Sequence, residues 1–157
     1  MKKFFYLSII ALFFTACVKP PQDTPIFSVK YYNADGQLTA LKDGQTIEIN
    51  TFDEGLPTKL LFKGVIYSQE SFNLEVTATR EVVEGTFDEF CAFLNCVPSN
   101  GEAVQNFSFS VNQEESEFYA HFDAVNNGDY KIIYNFHEKE KPNAKIVITV
   151  IYKYKLS

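Results

Sequence analysis

The stretch FNLEVTATREV, residues 72–82, alternates apolar and polar side chains at almost every step. One face of an extended chain would carry the apolar side chains of Phe72, Leu74, Val76 and Ala78. Because successive side chains of a strand point to opposite faces of a sheet, the pattern predicts a strand with one buried face. Such a strand is typical of an antiparallel sheet that has one solvated side.

Similar short segments, rich in β-branched and aromatic residues, follow one another along the chain with turn residues between them. They are IFSVKYY (26–32), QLTAL (37–41), TIEIN (46–50), KLLFKGVIYS (59–68), FSFSV (107–111), EFYAHF (117–122), YKIIYNF (130–136) and AKIVITVIYKY (144–154). Only TFDEFCAFLN (86–95) has room for one or two helical turns. The spacing predicts one all-β domain of about seven to nine strands, a sandwich or a small barrel. Gly64, inside one of these segments, indicates a bulge or a close approach of backbones.

A local motif in NNGDYKIIYNF, residues 126–136, narrows the choice of fold. Asn126, Gly128 and Tyr130 stand at alternate positions directly before the penultimate predicted strand. The motif resembles the tyrosine corner of immunoglobulin-like sandwiches, in which a tyrosine hydroxyl returns to backbone a few residues upstream. The resemblance implies an immunoglobulin-like antiparallel β-sandwich rather than a lipocalin-type barrel.

The first sixteen residues have the organisation of a signal peptide. MKK is a cationic start, FFYLSIIALFF (4–14) is an apolar run of eleven residues, and two small residues follow it. Eleven residues are too few to cross about 30 Å of hydrocarbon as a helix, so we expect the segment to be removed.

FTAC, residues 14–17, resembles the bacterial lipobox, in which the cysteine receives a diacylglycerol and its new amine a fatty acid such as palmitate. The resemblance implies cleavage after Ala16 and lipidation of Cys17. A plain signal peptide with an incidental cysteine is the alternative. The tract VKPPQDTP (18–25) favours the lipoprotein, because three prolines without hydrophobic periodicity predict an extended tether. The chain would then comprise a leader (1–16), the lipidated cysteine with its tether (17–25) and a β-sandwich domain (26–157).

Composition limits the partners that the chain can have. The formal net charge is -6, and loss of the leader with Lys2 and Lys3 would make the chain more acidic. An acidic protein without a basic stripe is unsuited to nucleic acid, because nothing displaces the counterions of the phosphates. Aromatic residues make up 16 % of the chain, with no tryptophan, which suits pleated and half-buried surfaces.

Cys91 and Cys96 are the two cysteines that remain if Cys17 carries lipid. An exported chain meets an oxidising compartment, so an even pair predicts a structural disulfide. Thiol-disulfide redox activity is the alternative, although redox enzymes use a two-residue spacing at a helix N-terminus. Zinc is disfavoured because no histidine or second cysteine pair lies nearby.

The remaining candidate residues are two histidines and three acidic stretches. We expect His121 and His137 to be isolated surface residues, with His121 on the strand face opposite Phe118, Ala120 and Phe122. FDEG (52–55), VEGTFDEF (83–90) and NQEESE (112–117) predict solvated turns, because calcium binding or glycoside hydrolysis would need carboxylates that converge. We therefore expect no catalytic residue, metal or cofactor.

The whole organisation is similar to small cell-envelope lipoproteins of the Bacteroidota type, with leader, lipobox, proline-rich tether and one immunoglobulin-like sandwich. That resemblance implies a lipid anchor in the outer membrane, since Val18 rather than aspartate follows the cysteine. Whether the domain faces the periplasm or the cell surface stays open. We expect a non-enzymatic binding or interaction module, with a protein of the cell envelope as candidate partner. A redox protein that uses Cys91 and Cys96 is the alternative.

Overall fold

The computed structural model describes residues 23–92 and 95–155, so the predicted leader, Cys17 and most of the tether lie outside the described residues. The strands, in chain order, are β1 (Phe27–Tyr32), β2 (Leu38–Ala40), β3 (Gln45–Ile49), β4 (Leu60–Ser68), β5 (Phe72–Arg80), β6 (Thr86–Ala92), β7 (Asn95–Pro98), β8 (Val104–Val111), β9 (Glu114–Ala124), β10 (Gly128–Glu138) and β11 (Lys141–Tyr154). No helix in this part of the chain has the length and apolar character needed to cross a membrane.

The strands form two sheets, which confirms the predicted all-β sandwich. The two sheets do not close into a barrel. A six-stranded sheet has the order β2-β1-β4-β9-β6-β7, and a five-stranded sheet has the order β3-β11-β10-β5-β8. All neighbours are antiparallel except β3 and β11, which pair in parallel. Two pairs of consecutive strands, β1–β2 and β10–β11, form antiparallel hairpins.

The described residues form eleven strands, more than the seven to nine predicted, because the segment around the cysteine pair contributes β6 and β7. The sequence left room for one or two helical turns there, and the described residues form strands instead. β6 lies between β9 and β7, and its last three residues, Phe90, Cys91 and Ala92, are all buried. Consecutive burial removes the alternation by which a strand is recognised in a sequence.

The core fills the space between the sheets with the inward side chains of both. Leu74, Val76 and Ala78 on β5 are fully buried, as their alternation predicts. At the centre, the ring of Phe90 stacks on Phe107 at 5.1 Å and on Phe118 at 5.5 Å between centroids. Burial of such a ring contributes about 1.5–3 kcal/mol, which accounts for the use of so many phenylalanines.

The structure confirms the predicted close approach of backbones at Gly64 on β4. A Cβ there would press against the carbonyl oxygen of Lys30 and would lie 2.5 Å from Cζ of Phe118. The β4–β9 register runs through Gly64 without a shift, so the residue marks no bulge. A side chain at this position would force the strand away from its neighbours.

The sandwich has two ends, which matter for the site. At the tether end the chain enters β1, and the Ile26 N–H donates to Oε1 of Glu138 at 3.3 Å. At the far end β9 finishes beside the start of β6, where Thr86 pairs with Ala124. The far end therefore carries the loops at 53–59, 81–85 and 125–127.

Candidate functional site

A polar cluster lies on the outer face of the six-stranded sheet, and it consists of Asp53, Lys59, Glu89 and His121. In His121, Nδ1 lies 3.1 Å from Oε1 of Glu89, and Nε2 lies 2.8 Å from Oδ2 of Asp53. The Lys59 ammonium donates to the same Glu89 oxygen at 3.0 Å. His121 is only 5 % exposed, so the prediction of an isolated surface histidine is wrong. The strand alternation nevertheless placed its side chain on the correct face.

The four residues of the polar cluster are linked by hydrogen bonds. Ionised carboxylates only accept hydrogen bonds, so a ring nitrogen of His121 that carries a proton can donate to the carboxylate beside it. The hydrogen bond from His121 holds the pKa of Asp53 below its usual value, against the opposing effect of burial. Asp53 also accepts from the Gly55 N–H at 2.7 Å, which shapes the loop. The contacts of His121 with Asp53 and Glu89 tie the loop that carries Asp53 to β9 and β6.

His137 does not join this cluster. It lies on β10 of the other sheet, where its Nε2 is 3.9 Å from Oε2 of Glu75. A separation of 3.9 Å is beyond hydrogen-bond distance. The two histidines are therefore independent, and no shared site arises from them.

Cys91 and Cys96 form a disulfide between directly opposed positions of β6 and β7. Cys91 is fully buried, whereas Cys96 is exposed with its sulfur 3.7 Å from the Tyr119 hydroxyl. The Glu89 carboxylate lies within 4.8 Å of both sulfurs, but bonded sulfurs offer no thiolate to a metal. Nor does either cysteine stand at a helix N-terminus, the setting that favours a reactive thiolate. Nothing in these contacts favours redox activity.

The three residues of the tyrosine motif meet at the far end. The Tyr130 hydroxyl donates to the carbonyl oxygen of Asn126 at 2.9 Å. A Cβ at Gly128 would lie 3.3 Å from the Tyr130 ring, so glycine leaves room for the ring to cover the backbone. The contact ties the turn before β10 to the strand itself.

An ion pair between the sheets was missed in the sequence. Nη2 of Arg80 on β5 lies 2.7 Å from Oδ2 of Asp88 on β6, and both side chains are 6 % exposed. Burial raises the pKa of Asp88, although Arg80 opposes the shift. The sequence did contain a signal for the burial of Arg80. This residue continues the alternate series of apolar residues that starts at Phe72, so its side chain points to the same face. The pair joins the two sheets at the far end.

The acidic stretches thus supply structural carboxylates rather than one converging site. Asp53 and Glu89 belong to the polar cluster on the outer face, whereas Asp88 points between the sheets. The prediction of solvated turns is wrong for these three residues. Glu114 and Glu115 are exposed at the tether end, as predicted, but they begin strand β9 and do not lie in a turn.

Exposed apolar side chains are concentrated at the far end. The far-end patch consists of Leu56, Val82, Val83, Phe87 and Val125, which are 38–66 % exposed. The two other large apolar residues that are exposed in the described chain are Val97 on β7 and Val104 on β8. Exposed carboxylates at Glu54, Glu81 and Glu84 interleave with the patch. An apolar surface with a charged rim is typical of a protein interaction site.

Two facing sheets with this order of strands define an immunoglobulin-like β-sandwich. Among solved structures, the N-terminal domain of PorA is similar, with a TM-score of 0.59 and 18 % identity over 81 % of this chain and 97 % of that chain. The PapD-like domain 7 of human CEP192 has a TM-score of 0.43 and 11 % identity, over 97 % of this chain and 99 % of that one. No family model and no curated protein matches the sequence. At 18 % identity the likeness to PorA shows the fold alone.

Proposed function

We propose that the chain is an outer-membrane-anchored lipoprotein that works as a non-catalytic interaction module. The observation that carries this proposal is the position of the far-end patch, at the end of the sandwich opposite the tether. An anchor at Cys17 and a binding surface at the far end would hold a partner away from the bilayer.

The dimensions of the chain support this arrangement. Nine residues separate Cys17 from the start of β1 at Phe27, and nine residues of any chain can reach at most about 30 Å. β9 has eleven residues and adds about 35 Å between the tether end and the far end. The far-end patch can therefore reach a partner that stands clear of the lipid headgroups.

The contacts of the polar residues support a role without catalysis. In the polar cluster, both nitrogens of His121 are bonded to carboxylates, and the cysteines are joined to each other. These groups stabilise loops and strand pairs. The far-end patch, in contrast, exposes apolar area between carboxylates, which complements a partner with an apolar centre and basic neighbours.

The anchor is tested by Cys17→Ser in the full chain, with Thr15→Ser as a matched control in the same motif. We expect the serine variant at position 17 to leave the membrane fraction, because two or more acyl chains hold a protein stably and none would remain. The control should stay with the membrane. Retention of both variants would contradict the anchor.

The interaction surface is tested by Val83→Asp combined with Val125→Asp. The control is Asn112→Asp combined with Gln113→Asp at the tether end, which adds the same two negative charges at exposed positions. Chemical cross-linking in intact envelopes, followed by purification, should recover a partner with the wild type and the control. Carboxylates in the patch should reduce that recovery, because they must be desolvated on binding. Equal recovery with all three proteins would contradict a role for the far end.

A further inference from the structure

We propose that the free edge of β8 binds an extended segment of a partner protein, which adds a strand to the five-stranded sheet. The inference rests on the proposed role as an interaction module and adds a second contact, separate from the far-end patch. β8 is the last strand in the order of its sheet, and it pairs only with β5.

The backbone of β8 offers a regular set of hydrogen-bonding groups to the open side. The Arg80 N–H donates to the carbonyl oxygen of Ala103 at 2.9 Å, so the residues at 103, 105, 107, 109 and 111 face β5. The alternate residues direct their N–H and C=O groups outward, and they are Val104, Asn106, Ser108 and Ser110. An extended peptide is the ligand whose groups match this spacing.

β8 also lacks the features that protect an edge strand from pairing. Its eight residues, VQNFSFSV, include no charge and no proline, and its register with β5 runs without a bulge. The other edges are less suitable. β2 has three residues and β7 has four, while the five residues of β3 include Glu48.

A cavity beside β8 indicates what kind of side chain the partner segment would insert. The described residues enclose a cavity of about 190 Å³ between β7 and β8, lined by Phe90, Ala92, Val97 and Phe107 with their neighbours. Its volume exceeds the roughly 150 Å³ that holds a benzene molecule in an engineered cavity. On a strand added next to β8, alternate side chains would point toward this cavity. The segment should therefore carry one large apolar side chain between two outward-facing residues.

Charge favours a different protein over a second copy of this chain. Each copy carries a formal net charge of -6, so two copies repel each other. Val97 and Val104, at 40 % and 52 % exposure, flank the edge and extend its apolar character. The occupant that fits is an uncharged, alternating segment of a neutral or basic partner.

The experiment uses the full chain in its own envelope, with a photoreactive side chain in place of Asn106. A matched control has the same group in place of Glu48 on β3, the edge strand on the other side of the sheet. Irradiation followed by mass spectrometry identifies the cross-linked peptide. We expect position 106 to capture one partner through a single alternating segment, and position 48 not to capture it.

A second change separates pairing from mere proximity. Ser108→Pro removes an N–H that faces away from β5, so the fold should persist while capture at position 106 falls at least about tenfold. Ser108→Ala keeps the N–H and should leave capture unchanged. Ser110→Pro makes the same test one pairing position along if the first proline variant does not accumulate.

Three results would overturn the inference: capture that the proline variants leave unchanged, a cross-linked species that is a second copy of this chain, and equal capture from position 48. A probe in place of Val83 separates this inference from the proposed function. Capture from Val83 without capture from Asn106 overturns only the β8 edge. Capture from neither position contradicts the interaction module as well.

Discussion

Replacement of His121 by alanine tests how much the polar cluster on the outer face of the sheet stabilises the fold. The change removes a hydrogen bond of 2.8 Å to Asp53 and one of 3.1 Å to Glu89. Hydrogen bonds to charged groups contribute about 1.5–3 kcal/mol each. The lower figure applies here, because Glu89 keeps its contact with Lys59 and the Asp53 side chain is 24 % exposed to water. We expect a loss of about 3 kcal/mol in the free energy of unfolding.

His137→Ala is the matched control for this prediction. The Nε2 atom of His137 lies 3.9 Å from Glu75, and its other ring nitrogen contacts the neighbouring carbonyl oxygen of Glu138, so its loss should cost less than about 1 kcal/mol. Urea unfolding followed by circular dichroism near neutral pH measures both variants. His121→Ala should also lower Tm by about 10 °C. Equal stability of the two variants would show that the polar cluster does not stabilise the fold.

Three further changes follow from the same structure. The pKa of Asp53 is lowered by its hydrogen bond to His121, so its contribution to stability is complete above the usual value of 3.8 and is lost as pH falls through the lower folded value. Wild type should therefore exceed Asp53→Asn in unfolding free energy at neutral pH, and the difference should vanish in acid; a constant difference would contradict the assignment. Joint replacement of Cys91 and Cys96 by serine should cost about 2 kcal/mol in denaturant unfolding, because a short closed loop is opened; an unchanged midpoint would count against a stabilising disulfide. Gly64→Ala should cost about 1–3 kcal/mol, since the new methyl group collides with the Phe118 ring; a thermal melt that matches wild type would show that the strands can separate there.

Alternation along single strands was enough to predict much of the core. Leu74, Val76 and Ala78 are buried because their spacing matches the period of a strand, and the same period put His121 on the outer face. The hairpin of β6 and β7 was missed, because consecutive burial in the middle of a sheet hides that period. The parallel pairing of β3 with β11 depends on chain topology, which local patterns do not report.

The polar cluster shows why the candidate site was harder to predict. One of the groups that enclose His121 is Asp53, which is 68 positions away in the sequence. Likewise, Arg80 and Asp88 neutralise each other across the two sheets. Contacts between distant segments determine which polar residues are solvated. Composition and local spacing do not report those contacts, so they indicated surface positions for polar side chains that are in fact enclosed. The tyrosine motif was readable because its contact spans only four positions.

The attachment of the chain to a membrane is tested most directly by the intact mass and the N-terminal residue of the protein extracted from the producing cell. We expect a chain that begins at Cys17, with a mass increased by a diacylglycerol and an amide-linked fatty acid. A protein that begins at Met1 and carries no acyl chain would contradict this expectation.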